Sequence, residues 1–105
     1  MIIPADAIIA EEKIRDYLLK PQAVDDKSGY FMQAGYTREE SWELLRDIKE
    51  QLLPAEGEYQ RTNRFGDYYI VTGHLEGPNG RRLGVRSIWL HDRNNRIRFA
   101  TLFPD

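Results

Sequence analysis

The spacing of apolar residues along this chain changes once, near Gly57. Before it, apolar positions recur every three or four residues, the period of a helix. Over 11–19, Ile14, Tyr17 and Leu18 fall at i, i+3 and i+4, which predicts one helical face. This helix ends before Pro21, and Lys20 suits its C-terminus. Ile8 and Ile9 either extend it backwards or form a short strand. Residues 21–25 read as a loop, and Asp26 is placed to cap a short second helix over 27–34, closed by Gly35. Thr37-Arg38-Glu39-Glu40 has the form of a capping box, opening a third helix. Trp42, Leu45, Ile48 and Leu52 follow at helical spacing and predict the buried stripe, until Pro54 stops the run.

After Gly57 the period is two. Strands are expected at about 58–64, 68–75, 82–91 and 96–103. They are joined by Phe65-Gly66-Asp67, Gly77-Pro78-Asn79-Gly80 and Asp92-Arg93-Asn94-Asn95, each rich in turn-forming residues. Short connections imply hairpins, hence an antiparallel meander. In the third strand Leu83, Val85, Ser87 and Trp89 share one face, opposite Gly84, Arg86, Ile88 and Leu90. In the fourth, strict alternation sets Ile97, Phe99, Thr101 and Phe103 against Arg96, Arg98, Ala100 and Leu102. The expected fold class is α+β, with N-terminal helices packed on a four-stranded antiparallel meander.

Composition narrows the picture. A chain of 105 residues is expected to form a single domain, residues 1–105, with one core. It has no cysteine, so disulfides and thiolate metal sites are excluded. No apolar run approaches the ~20 residues of a membrane span, and the first residues lack the basic start of a signal peptide. The expectation is a cytoplasmic protein without a membrane partner. Charge is divided unevenly. Residues 1–56 carry twelve acidic and seven basic side chains; residues 57–105 carry five acidic and eight basic, all arginine. Arginine's planar fork grips phosphate or carboxylate with paired hydrogen bonds. An arginine face could hold phosphate, or dock the acidic half of its own chain.

Candidate chemistry is sparse. His74 and His91 close the second and third strands, and a histidine can exchange protons near neutral pH. Two histidines at hairpin ends are ordinary, however. No spacing suits a metal, and no cofactor is expected. Lys27 and Ser28 open the second helix, where a lysine and a hydroxyl could hold phosphate; the plain alternative is capping and solvation. Gly77-Pro78-Asn79-Gly80 is a hairpin turn rather than a phosphate loop. Arg86, Ser87, Arg98 and Thr101 lie on neighbouring strands and could meet around a phosphate. The plain alternative pairs Arg86 and Arg98 with carboxylates of the acidic helices. Tyr68, Tyr69 and Trp89 could stack bases, but their alternation fits core and cross-strand packing better.

Four segments carry a resemblance. Lys13-Ile14-Arg15-Asp16-Tyr17-Leu18-Leu19-Lys20-Pro21 is similar to a K-L-x-x-Y-L-L-x-P opening. Lys27-Ser28-Gly29-Tyr30-Phe31, then Ala34-Gly35-Tyr36, resembles K-S-x-F-F followed by L-G-Y. Leu75-Glu76-Gly77-Pro78-Asn79-Gly80-Arg81, then Val85-Arg86-Ser87-Ile88-Trp89, resembles L-x-G-P-D-G-R followed by V-R-T-V-W. Ala100-Thr101-Leu102-Phe103-Pro104 resembles a V-T-A-Y-P close. In this order they resemble the small bacterial uncharacterised-domain family 6883 (DUF6883). Ala10, Ala34 and Leu102 depart from the pattern, at packing positions. The resemblance implies no established activity. Its order of helices and then sheet is similar, at the level of fold, to the barnase–EndoU–colicin–RelE toxin nucleases. By that analogy the expectation is a toxin-type, metal-independent ribonuclease, with Lys27, Arg86 and Thr101 catalytic and Ser28 and Ser87 holding substrate; His74 joins the catalytic set, and Arg98 the substrate-holding set, on their chemistry alone, outside the matched motifs. Its partners would be RNA and a small protein such as an antitoxin. The alternative is a non-catalytic protein-interaction module.

Overall fold

The computed structural model describes residues 1–23 and 26–105. Val24 and Asp25, in the loop expected over 21–25, lie outside the described residues. The fold is α+β, with helices in the N-terminal half and a four-stranded antiparallel meander after them. A two-residue strand, β1 (Ile2–Ile3), comes first and pairs with β2 (Ala55–Glu56), a small sheet the residue pattern does not signal. The main sheet is β3 (Glu58–Asn63), β4 (Gly66–Glu76), β5 (Arg82–Asp92) and β6 (Ile97–Pro104), in sequence order. Ile8 makes a single strand-like parallel bridge to Arg98, which settles the ambiguity of Ile8 and Ile9 against a longer helix.

Both long helices widen. α1 (Glu11–Lys13) runs on through a π turn, Ile14–Leu18, where the Leu19 amide reaches back five residues to the Ile14 carbonyl at 2.9 Å. The extra residue per turn rotates Tyr17 out of the stripe expected with Ile14 and Leu18. Those two are buried, whereas Tyr17 is 54% exposed. α2 (Ser28–Met32) has Lys27 as its N-cap, one residue later than expected, and Asp26 Oδ1 accepts the Ser28 amide at 2.9 Å and the Ser28 hydroxyl at 2.6 Å. α3 (Ser41–Asp47) also runs on through a π turn, Ile48–Leu52. Thr37 Oγ1 accepts the Glu40 amide at 3.2 Å, and regular helix starts only at Ser41.

The buried stripe of α3 is not the expected one. Leu44, Ile48 and Leu52 are buried, while Trp42 is 51% exposed and Leu45 half-buried. Either stripe would share Ile48 and Leu52. The Leu44 side wins because it also carries Ser41 and Asp47, which are buried and have hydrogen-bond partners. The Ser41 hydroxyl donates to Glu11 on α1 at 3.1 Å, and Asp47 Oδ2 accepts the buried Tyr36 hydroxyl at 2.7 Å. Burial, and then the Asp47 carboxylate, raise the Tyr36 hydroxyl far above the usual phenol range. Trp42 lies outside, with the Arg46 guanidinium 5.2 Å from its ring.

Helices and sheet enclose one cluster that includes Ile14, Leu18, Phe31, Tyr36, Leu44, Ile48, Leu75, Val85, Trp89, Phe99 and Leu102. Among the described residues no helix lies on the opposite sheet face, and the register assigns its rows. Arg61, Tyr68, Leu90 and Arg98 align across all four strands; Ile70, Ile88 and Thr101 form the next row; Thr72, Arg86 and Phe103 the next. His74 follows, opposite Gly84. A bulge corrects the alternation expected in the last strand. Ile88 pairs with Thr101, but Trp89 pairs with Phe99, leaving Ala100 as the extra residue. Phe99 and Leu102 therefore both face the helices, and Thr101 shares the open face with Arg86. The bulge also turns the carbonyls of Ala100 and Leu102 outward, away from β5.

Candidate functional site

The start of α2 reaches over the outer side of β6. Lys27 Nζ donates to Thr101 Oγ1 and to the Leu102 carbonyl, each at 3.1 Å. It also lies 3.9 Å from the centre of the Phe103 ring and 5.8 Å from that of Tyr17. Lys13, from α1, donates to the Ala100 carbonyl at 3.3 Å. Between α1 and β6 a groove of about 750 Å³ opens, lined by Glu12, Lys13, Tyr17, Asp26, Lys27, Thr101 and Phe103 among others. Asp26 is held below the usual carboxylate range, first by the Ser28 hydroxyl and then by its amide.

Arg86 borders the same ring from the other side. Its guanidinium carbon is 5.9 Å from the Phe103 centroid, so two cations flank one aromatic at the rim of the groove. Arg86 pairs with Asp105 at 3.5 Å, both side chains nearly half exposed. Such a pair is worth about 0–1 kcal/mol and yields readily to a competing anion. His74 is exposed on the same face, opposite Gly84 and so diagonal to Arg86. The structure thus brings Lys27, Thr101 and Arg86 together, with His74 on the same face one row further along.

The remaining candidates lie elsewhere. Ser87 is fully buried on the helix side; its hydroxyl donates to the Val71 carbonyl at 3.0 Å and accepts the Trp89 indole at 2.8 Å. That hydroxyl fixes a core tryptophan and cannot reach a ligand on the open face. Ser28 is also buried, its hydroxyl committed to Asp26. Arg98 is on the open face but sits at the start of β6 beside the β5–β6 turn, its Nε 3.3 Å from Asp92. That nitrogen has an ion-pair partner but no well-aligned hydrogen bond. Among the described residues neither Arg86 nor Arg98 pairs with the acidic helices, which corrects the plain expectation; the partners there are Asp105 and Asp92. His91 Nε2 contacts Asn95 Oδ1 at 2.6 Å inside its own turn. Of the aromatics considered for stacking, Trp89 is core, with Phe99 edge-on at 5.4 Å; Tyr69 meets Tyr59 edge-on at 6.0 Å; Tyr68 lies on the open face.

Sequence reasoning missed Tyr17, Lys13 and Phe103 as groove residues. Tyr17 fitted a core stripe until the π turn displaced it. Only the bulge at Ala100 brings Phe103 onto the face of Arg86.

The fold is shared with a solved structure of known setting. The chain is similar, at 17% identity and a TM-score of 0.71, to a chain of a contact-dependent growth inhibition toxin–immunity protein complex from Klebsiella pneumoniae 342. The likeness covers 96% of this chain and 95% of that one. By sequence, residues 4–105 match the domain of unknown function DUF6883, and the chain belongs to that family. No curated protein matches it.

Proposed function

We propose that this chain is a toxin-type domain that cleaves RNA without a metal, at the groove beside β6. The observation that carries the reading is the meeting of Lys27, Thr101 and Arg86 around Phe103, from separate elements, at the rim of an open groove. Phosphoryl chemistry needs cations fixed in advance around the charge that develops on phosphorus. In this reading the scissile phosphate displaces Asp105 from Arg86 and takes a hydrogen bond from Lys27, with Thr101 orienting the ammonium. His74 accepts the proton of the ribose 2′-hydroxyl. The 2′-oxygen bonds to phosphorus, the bond to the 5′-oxygen breaks, and that oxygen leaves with a proton from solvent. The products are a 2′,3′-cyclic phosphate and a 5′-hydroxyl. The likeness to a chain from a toxin–immunity complex supports the toxin setting, and with it a small protein partner that covers the arginine face.

The test is incubation of end-labelled RNA with the protein in the presence of a chelator. Fragments ending in cyclic phosphate are expected. Arg86→Ala should slow cleavage by about 100-fold or more, while the melting temperature moves by no more than a few degrees, because only an exposed ion pair is lost. An Arg86→Ala protein as active as the wild type would overturn the reading.

The interaction module is the second reading, and Lys27 itself favours it. Its bonds to Thr101 and Leu102 are also what a purely structural clamp between α2 and β6 would make. Wild-type protein inert toward RNA, with a Lys27→Ala variant that only melts earlier, is the outcome that would establish it.

A further inference from the structure

A second cationic surface lies at the far end of the open face and takes no part in the chemistry above. The β3–β4 and β5–β6 turns meet there, since Gly66 pairs with Asp92. Arg93 ties them, donating to the Asn63 carbonyl at 2.7 Å and to that of Arg64 at 3.5 Å. Beside this clamp the Arg61 guanidinium stacks 4.2 Å from the Tyr68 ring, and that of Arg64 lies 4.8 Å from Phe65, which is 52% exposed. Arg96 and Arg98 complete the end, both sharing one oxygen of Asp92. A shallow depression of about 270 Å³ lies among Arg64, Phe65, Leu90, Arg96 and Arg98, and Asp92 is the one carboxylate among the described residues lining it. Asp92 is largely spoken for by the Arg96 and Asn94 amides, which hold its carboxyl below the usual range.

We propose that this end is a second RNA subsite, which grips the backbone of a single strand and stacks unpaired bases on Tyr68 and Phe65. The inference rests on the proposed function, and names its substrate as single-stranded rather than duplex RNA. Guanidinium groups laid on an exposed Phe65 and a half-buried Tyr68, beside further arginines, form a surface that takes a phosphate and the face of a base. Continuity supports RNA over an acidic protein. The row Arg61–Tyr68–Leu90–Arg98 and the row Thr72–Arg86–Phe103 lie on one uninterrupted face, four residues apart on β5, or about 13 Å. A dinucleotide bound at Arg86 cannot reach both; a longer strand can.

The experiment compares a dinucleotide with a single-stranded RNA of about 20 nucleotides, using wild type and the Arg61→Gln/Arg64→Gln double variant. On the long substrate the variant should raise KM by about tenfold and leave kcat nearly unchanged, and binding should lose salt dependence. Cleavage of the dinucleotide should not change. Equal KM values on the long substrate, or equal losses on both substrates, would overturn the subsite. A 2′-O-methyl RNA of the same length, which cannot be cut, separates the two readings. If wild type cleaves nothing but binds this strand through Arg61 and Arg64, the catalytic reading fails and the subsite stands. Displacement of the strand by polyglutamate at the same charge concentration would mark a surface for acidic proteins and overturn the proposal.

Discussion

At the residue scale, two neighbours on α3 differ in a way their hydropathy does not announce. Leu44 is sealed and Trp42 lies in solvent. Leu44→Ala should therefore cost ~2–5 kcal/mol in a urea melt. Trp42→Ala should cost less than ~1 kcal/mol, the worth of an exposed stacking with Arg46. Equal losses would mean that α3 presents its other side. Asp16 supplies a pH-dependent prediction. The Arg15 guanidinium, and then that of Arg38, hold its carboxyl at about 2, below the ordinary 3.8. A depressed carboxyl adds stability above its unfolded value and loses it as pH falls through the folded one. The thermal midpoint should thus fall between about pH 4 and pH 2, and Asp16→Asn should flatten part of that decline. Asp26 and Asp92, also lowered, keep the remainder.

At the scale of elements, the β4–β5 turn is pinned to the end of α2. The Asn79 amide donates to the Ala34 carbonyl at 3.2 Å, and the Asn79 side chain to that of Gln33 at 3.0 Å. Gly77 lies so close to Ala34 that a methyl group would collide with its carbonyl. Gly77→Ala should destabilise by more than about 2 kcal/mol, whereas Gly80→Ala meets open space and is strained only through its positive φ. Scanning both by chemical denaturation checks this. These elements also show what the chain discloses about itself. The four strands, their turns and the Asp26–Ser28 contact at the start of α2 are legible because period and turn chemistry are local. Helix facing was legible at Ile14, Leu18, Ile48 and Leu52, but not at Tyr17, which the π turn displaces, nor at Trp42 and Leu45, where the partners of Ser41 and Asp47 select the other side. Of the candidate site, Lys27, Arg86 and Thr101 could be named as chemical types. Their meeting depends on one extra residue at Ala100, and that bulge leaves no mark in an alternating pattern. Ser87 shows the converse. A polar residue between strand positions read as a ligand, but it was needed to satisfy the indole of Trp89.

At the scale of the molecule, the acidic helices and the arginine-rich sheet do not neutralise each other through the open face. Helical charges pair largely among themselves, as Asp16 does with Arg15 and Arg38, and Arg46 with Asp47. The sheet's positive face is left toward solvent. Attraction of an anionic partner should therefore be steep in ionic strength despite the chain's net charge of −2, and stopped-flow association rates measured from low to high salt would reveal it. The two lysines that reach β6 from the helices have a different consequence. A sheet with two bare borders can grow from both and so form fibrils. Here Lys13 and Lys27 plug the outward carbonyls of Ala100 and Leu102, and Pro104, also turned outward, has no amide hydrogen to offer. Among the described residues Ile8 also bonds this border at Ile97 and Phe99, so the border left for another copy is that of β3. Self-association through the sheet then stops at a pair, and cannot propagate. Replacing both lysines with alanine should bare the Ala100–Leu102 stretch and weaken that stop, and light scattering of concentrated protein would show species larger than the pair.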